Sequence, residues 1–149
     1  LTRAENQKQW EAGGPEGRQQ TREIMTTWIA VMLGGALGSA GRYGVGLWLK
    51  NIYPTFPAAT LVVNTVGGLL IGLIAAYSMG RADFSPAVRL GLMTGVLGGF
   101  TTFAAFALET LELWQGGSSG AALLNIALNV ILSLGACAVG IWLMRASTA

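Results

Sequence analysis

Hydrophobic residues along this chain are grouped into four long blocks, and polar residues are concentrated between the blocks and at the amino end. Each block approaches or exceeds the roughly 20 apolar residues that a helix needs to cross a bilayer. The pattern therefore predicts four transmembrane helices and an all-α membrane protein. The expected bounds of the helices are residues 28–49, 58–79, 87–114 and 121–144.

Residues 1–24 differ from the rest because they mix acidic with basic side chains and show no apolar period. Sequence of this kind buries too little apolar surface to fold alone, so we expect it to be disordered or peripheral. Met25 stands directly before the first block, and we expect the natural protein to start there; a genuine cytoplasmic tail is the alternative. The predicted organisation is a polar extension over residues 1–24 and a four-helix channel domain over residues 25–149.

Composition supports a membrane protein and narrows its chemistry. The 149 residues are 52% hydrophobic and 11% charged, whereas about a quarter of the residues in soluble domains carry charge. The formal charge of +2 is scattered over the chain, which disfavours nucleic acid as a partner. The chain has no histidine and a single cysteine, Cys137, so histidine acid–base chemistry and intrachain disulfides are excluded. We expect no enzymatic activity.

From Met25 onward, basic residues are divided almost evenly between the two predicted sides of the membrane, and the margin grows only if the polar extension is genuine. Arg81, Arg89 and Arg145 favour one side as cytoplasmic, against Lys50 and Arg42 on the other. This weak bias permits insertion in both orientations and antiparallel pairing, although it does not establish them.

The third block contains the least helical sequence within the predicted spans. Gly98 and Gly99 are followed by the β-branched pair Thr101 and Thr102, and both residue types disfavour helix. We therefore expect the third helix to be broken in the middle of the membrane. Open backbone is tolerated there only where it is buried in protein or lines a polar cavity, so the break is a candidate functional site.

Polar residues inside the other blocks follow helical faces. Thr60 and Asn64 share a face of the second block, and Asn125, Asn129 and Ser133 share a face of the fourth. Amide and hydroxyl donors of this kind suit an anion. They also suit hydrogen bonding between membrane helices, and the sequence leaves both interpretations open.

Glycines at four-residue spacing, such as Gly34 with Gly38 and Gly68 with Gly72, favour close helix packing. Four spans enclose little space on their own, so we expect a homo-oligomer with any pathway between subunits.

Phe103 lies three residues before Phe106 on the helix that resumes after the break. Such a pair ordinarily contacts lipid or core, but the positive edges of the rings can also meet an anion.

Taken together, these residues resemble the CrcB or Fluc fluoride channels from about Met25 to the carboxyl terminus. The resemblance rests on the following elements: Gly34 to Gly38 with Arg42, Thr60 to Asn64, Gly98 to Phe106 followed by Glu109, and Asn129 with Ser133. It implies an antiparallel, dual-topology homodimer in the bacterial inner membrane with two fluoride pathways. Fluoride leaves the cell passively through such a channel, which lowers its toxicity in the cytoplasm.

The resemblance also implies individual roles. Asn64 would donate to fluoride, and the ring edges of Phe103 and Phe106 would line its route. The other expected pathway residues are Thr102, Ser133 and Asn129. The backbone carbonyls of Gly98 and Thr101 from both subunits would hold a structural sodium ion at the dimer axis, and Arg42 would attract anions in a vestibule. Glu109 receives no firm role.

One departure from the family concerns Ala104, Ala105 and Ala107, where members often carry serine or threonine. Either the remaining polar groups suffice for fluoride or throughput is reduced.

Two other classes of membrane protein are alternatives. Small multidrug-type proton-coupled exporters resemble one another through a glutamate in the first span. The first span of this chain has Arg42 and no acidic residue. A structural membrane subunit explains the glycines but not the ordered polar and aromatic residues.

Overall fold

The computed structural model describes residues 14–79 and 84–148, and these ranges contain helices and no β-strand. The elements in chain order are α1 (Pro15–Lys50), α2 (Ala58–Ser78), α3 (Pro86–Leu90), a π-helix (Gly91–Leu97), α4 (Gly98–Phe100), α5 (Phe103–Gln115) and α6 (Ser119–Thr148). The pieces from α3 to α5 follow one another as a single third membrane segment, Pro86–Gln115.

Four segments are long and apolar enough to cross a membrane. They are Glu16–Lys50, Ala58–Ser78, Pro86–Gln115 and Ser119–Ser147. Each segment overlaps one of the four predicted blocks, so the prediction of an all-helical chain with four membrane-length helices is confirmed for the described residues.

The first helix begins at Pro15, thirteen residues before the predicted start at residue 28 and inside the predicted polar extension. Proline is well suited to the first helical turn because its missing N–H has no helical partner there. The polar stretch from Pro15 continues directly into an apolar helix, so no separate nucleation step opposes its helical state. The remaining residues of the predicted extension, 1–13, lie outside the described residues, as does the connection 80–83 with Arg81.

Helices approach each other closely at glycines, within two packed pairs of segments. The α1 helix packs along the first half of the third membrane segment, and α2 packs along α6. A Cβ atom on Gly68 would lie 2.6 Å from the Ser133 carbonyl oxygen, and one on Gly99 would lie 2.6 Å from the Gly35 carbonyl oxygen. Only glycine permits these distances between backbones.

The outer surfaces of the bundle are apolar and carry aromatic residues near their ends. Leu37 on α1 is 70% exposed and Trp142 on α6 is 66% exposed. Trp28 and Trp48 lie twenty residues apart on α1, which corresponds to about 30 Å of helix. This distance matches the hydrocarbon thickness of a bilayer, and tryptophan prefers its two interfaces. We therefore expect the helix before Trp28 to extend beyond the hydrocarbon.

Candidate functional site

The backbone of the third membrane segment leaves the helical conformation at two residues. Helix α4 ends at Phe100, and Thr101 is extended with φ −82° and ψ 159°. Thr102 is also extended, with φ −154° and ψ 119°, before α5 begins at Phe103. The two glycines before this opening remain helical, and a π-helix, Gly91–Leu97, precedes them.

The hydrogen bonds around Thr101 and Thr102 show how the opened backbone is satisfied. In an unbroken α-helix the Thr102 N–H would donate to the Gly98 carbonyl and the Ala105 N–H to the Thr101 carbonyl. Instead, the Thr102 N–H donates to Oδ1 of Asn64 at 2.8 Å. The Ala105 N–H donates to the Thr102 hydroxyl at 3.2 Å. The carbonyls of Gly98 and Thr101 thus lose their helical donors.

A groove of about 490 Å³ runs beside this opening, between the third membrane segment, α2 and α6. Eight of the nine predicted site residues line it. They are Asn64, Gly98, Thr101, Thr102, Phe103, Phe106, Asn129 and Ser133. Tertiary packing therefore brings together residues that the sequence distributes over three membrane segments.

The two phenylalanines form one side of the groove. Their ring centroids are 5.4 Å apart and their planes are inclined by 59°. Phe103 is 79% exposed, and Phe106 is half-buried. The two rings are in contact, and Phe103, the outer of the two, is exposed in a single chain.

Asn64 holds the opened backbone with all of its polar atoms. Its Oδ1 accepts from the Thr102 N–H, and its Nδ2 donates to the Thr102 carbonyl at 3.1 Å. The same Nδ2 donates to Oδ1 of Asn129 at 3.0 Å. Both N–H bonds of Asn64 are therefore given to protein acceptors, so an anion at this amide has to replace one of them.

The asparagines also bond across helices, as the packing interpretation of the polar faces expects. Within α6, Asn129 donates to Oδ1 of Asn125 at 2.9 Å, and Asn125 donates across to the Thr110 hydroxyl on α5 at 2.9 Å. Thr110 had no place among the predicted site residues. Its signal in the sequence was weak, because a single threonine on a membrane helix usually bonds to its own backbone.

Ser133 differs from the asparagines. Its hydroxyl oxygen is buried and has no hydrogen-bond partner among the described residues, although the residue lines the groove. Buried polar groups are nearly always paired, so this hydroxyl is free to meet a polar species in the groove.

Arg42 is the one predicted site residue that lies outside the groove. It lines a second cavity of about 390 Å³, together with Thr60, Thr102 and Glu109. The Thr60 hydroxyl donates to Oε1 of Glu109 at 2.8 Å. Thr102 borders both spaces, so the groove and the second cavity both reach the opened backbone.

The three alanines that depart from the family pattern do not line the groove. Ala105 borders the cavity of Arg42, and Ala104 is exposed. Hydroxyl groups at these positions would therefore not extend the polar lining of the groove within one chain.

Comparison with known proteins gives a consistent result. The sequence profile of the family described as CrcB-like protein, Camphor Resistance (CrcB), matches residues 29–141. The fluoride-specific ion channel FluC of Rhizobium meliloti (strain 1021) is 47% identical over 119 residues, which cover 79% of this chain and 95% of the relative. The protein of the same name from Paracoccus denitrificans (strain Pd 1222) is 47% identical over 119 residues, covering 80% and 94%. That from Saccharophagus degradans (strain 2-40) is 42% identical over 114 residues, covering 76% and 86%.

Proposed function

We propose that this chain, which belongs to the CrcB family, is a fluoride channel that lets fluoride cross the membrane passively. It is a multi-pass membrane protein with four membrane-length helices, and its relatives are named fluoride-specific ion channels. The observation that carries the proposal is the groove beside the opened third segment, where Asn64, Ser133 and the phenylalanine pair meet.

The groove provides weak, uncharged donors suited to a small anion. Ser133 offers a hydroxyl without a protein partner, and the edges of Phe103 and Phe106 carry partial positive charge. Conduction requires binding strong enough for the ion to enter and weak enough for it to leave. Uncharged donors meet this requirement better than a fixed cation within the narrow part of a pathway.

Asn64 contributes to the pathway by exchanging a partner. Its bond to Asn129 spans 3.0 Å between two neutral side chains, whereas a bond to an anion is about twice as strong. Fluoride at this position replaces Asn129 Oδ1 as the acceptor of the Asn64 amide. Asn129 and Thr102 then serve as polar neighbours on either side of the ion.

A sodium ion at the dimer axis is the second part of the proposal. The carbonyls of Gly98 and Thr101 have lost their helical donors to Asn64 and to the Thr102 hydroxyl. Oriented carbonyl oxygens suit a hard cation. With the same two carbonyls from a partner subunit, they form an oxygen-only site, in which sodium offsets the cost of open backbone in the membrane.

An antiparallel homodimer with two pathways is the third part of the proposal, and the same surface supports it. The groove is open along Phe103, which is 79% exposed in one chain, so a second subunit is needed to enclose it. Arg42 and Glu109 border the separate cavity, which we assign to an aqueous vestibule where Arg42 attracts anions. The bacterial inner membrane is the proposed location, where passive exit lowers cytoplasmic fluoride.

Fluoride efflux from reconstituted liposomes, followed with an ion-selective electrode, tests this function. We expect the wild-type protein to release trapped fluoride and Phe106→Ile to reduce release to the leak of protein-free liposomes, because isoleucine has no polarised ring edge. Phe84→Ile is the matched control, since Phe84 packs edge-on against Tyr77 at 5.7 Å outside the groove. Equal efflux for Phe106→Ile and wild type would remove the phenylalanines from the pathway.

A further inference from the structure

A continuous series of hydrogen bonds connects the opened backbone with the body of α5. Asn64 donates to Asn129 at 3.0 Å, and Asn129 donates to Asn125 at 2.9 Å. Asn125 donates to the Thr110 hydroxyl at 2.9 Å. The Thr110 hydroxyl donates to the Phe106 carbonyl at 2.7 Å. The series thus begins beside Thr102 and returns to the backbone of a groove residue.

The direction of each bond in the series is fixed by backbone groups. The Thr102 N–H can only donate and its carbonyl can only accept, so the amide of Asn64 has a single possible orientation. Asn129 must then accept from Asn64, and its Nδ2 also donates to the Asn125 carbonyl at 3.1 Å. Asn125 consequently presents its NH₂ group to Thr110, whose hydroxyl proton goes to Phe106.

Burial makes this series rigid. Asn125 is completely buried and Asn129 is 5% exposed, so water cannot replace a lost partner. A buried donor left unpaired is costly, and bonds that run in one direction polarise each other. The orientation of each amide therefore depends on the next member of the series.

We propose that Thr110 and Asn125 are positioning residues for the fluoride pathway, since through Asn129 they hold in place the Asn64 amide that Thr102 orients. This inference rests on the proposed function. Neither residue lines the groove, so neither contacts the ion. Without the Thr110 hydroxyl, Asn125 loses the acceptor for its NH₂ group and turns. Asn129 and Asn64 then lose the alignment that holds the Thr102 N–H away from the Gly98 carbonyl.

Three threonine variants test the inference. Thr110→Val removes the hydroxyl at nearly constant shape, and Thr110→Ser retains it. Thr65→Val is the matched control, because the buried Thr65 hydroxyl has no hydrogen-bond partner among the described residues. We expect Thr110→Val to lower liposomal fluoride efflux about tenfold, the effect of about 1.4 kcal/mol on a barrier. Thr110→Ser and Thr65→Val should stay within about twofold of wild type.

A second measurement separates positioning from general damage. In protein labelled with ¹⁵N-asparagine, the side-chain amide signals of Asn64, assigned by their loss in Asn64→Ala, should shift in Thr110→Val and stay in place in Thr65→Val. If Thr110→Val shifts the Asn64 signals but keeps wild-type efflux, the hydrogen-bond series exists but does not position the pathway, and the inference is overturned. Reduced efflux with unmoved Asn64 signals would overturn it as well.

Failure of the proposed function can be distinguished from failure of this inference. If wild-type liposomes release no fluoride, the channel assignment falls and the positioning role falls with it, while the Asn64 signals still report whether the series exists.

Discussion

Ser133 shows how a single residue can have two different surroundings along one helix. Its carbonyl oxygen lies against Gly68, at 2.6 Å from where a Cβ would stand. Its hydroxyl is buried without a hydrogen-bond partner among the described residues. Asn129, one turn earlier on α6, has its amide fully engaged. At the residue scale, Ser133 is thus the donor most available to an anion in the groove.

Replacing Ser133 by alanine tests this availability. We expect Ser133→Ala to lower fluoride efflux about tenfold, since a hydrogen bond to a charged partner contributes about 1.5–3 kcal/mol. The midpoint of thermal unfolding should not fall, because no bond within the chain is lost. Ser78→Ala is the control, as that hydroxyl donates to the Ala75 carbonyl of its own helix. Wild-type efflux from Ser133→Ala would exclude the hydroxyl from the pathway.

At the scale of elements, the third membrane segment differs from the other three. It changes from π-helix to α-helix, opens at Thr101, and resumes at Phe103. Irregular backbone of this kind is costly in hydrocarbon unless its polar groups find partners. Asn64 supplies partners for Thr102, whereas the carbonyls of Gly98 and Thr101 have lost their helical donors.

Removal of sodium tests the role proposed for these carbonyls. We expect purified protein to unfold at lower temperature in N-methylglucamine chloride than in sodium chloride of equal ionic strength. A ligand at 100 times its dissociation constant stabilises the folded state by about 2.7 kcal/mol. Potassium chloride is the control for small cations. Identical unfolding temperatures in the three salts would contradict a structural sodium ion.

At the scale of the whole molecule, the groove and the exposed Phe103 lie on the surface of a single chain. From Met25 onward, the basic residues give little preference for one orientation, since Arg81, Arg89 and Arg145 on one side oppose Lys50 and Arg42 on the other. An antiparallel pair allows the same surface of each chain to cover the groove of the other. The proposed pathways therefore belong to the dimer, although each groove is formed by one chain.

Labelling of single cysteines tests the dual orientation. Ser119→Cys and Ser147→Cys, each in a Cys137→Ala background, lie at opposite ends of α6. With a membrane-impermeant maleimide added outside intact cells, we expect about half of each variant to react, because both orientations place half of each site outside. Full reaction of one variant and none of the other would establish a single orientation.

Much of the fold could be predicted from the sequence because a bilayer imposes simple rules. Length and hydropathy placed the membrane segments within a few residues of their observed ends, except at the start of the first segment, and the residues around Asn64 and Gly98 pointed to the correct family. The helical start at Pro15 was not predicted, since a polar stretch without apolar period gives no sign that an adjoining helix extends through it.

The sequence alone determined the membrane class, the number of spans and the residue types beside the third segment, because these depend on composition and local order. Tertiary structure decided which of those residues meet. It placed the opening at Thr101 and Thr102, because Asn64 from another helix captures the Thr102 N–H. It placed Arg42 in a separate cavity and connected Thr110 to the site through a hydrogen bond from Asn125. Such partnerships join residues far apart in the chain, and only packing in three dimensions determines them.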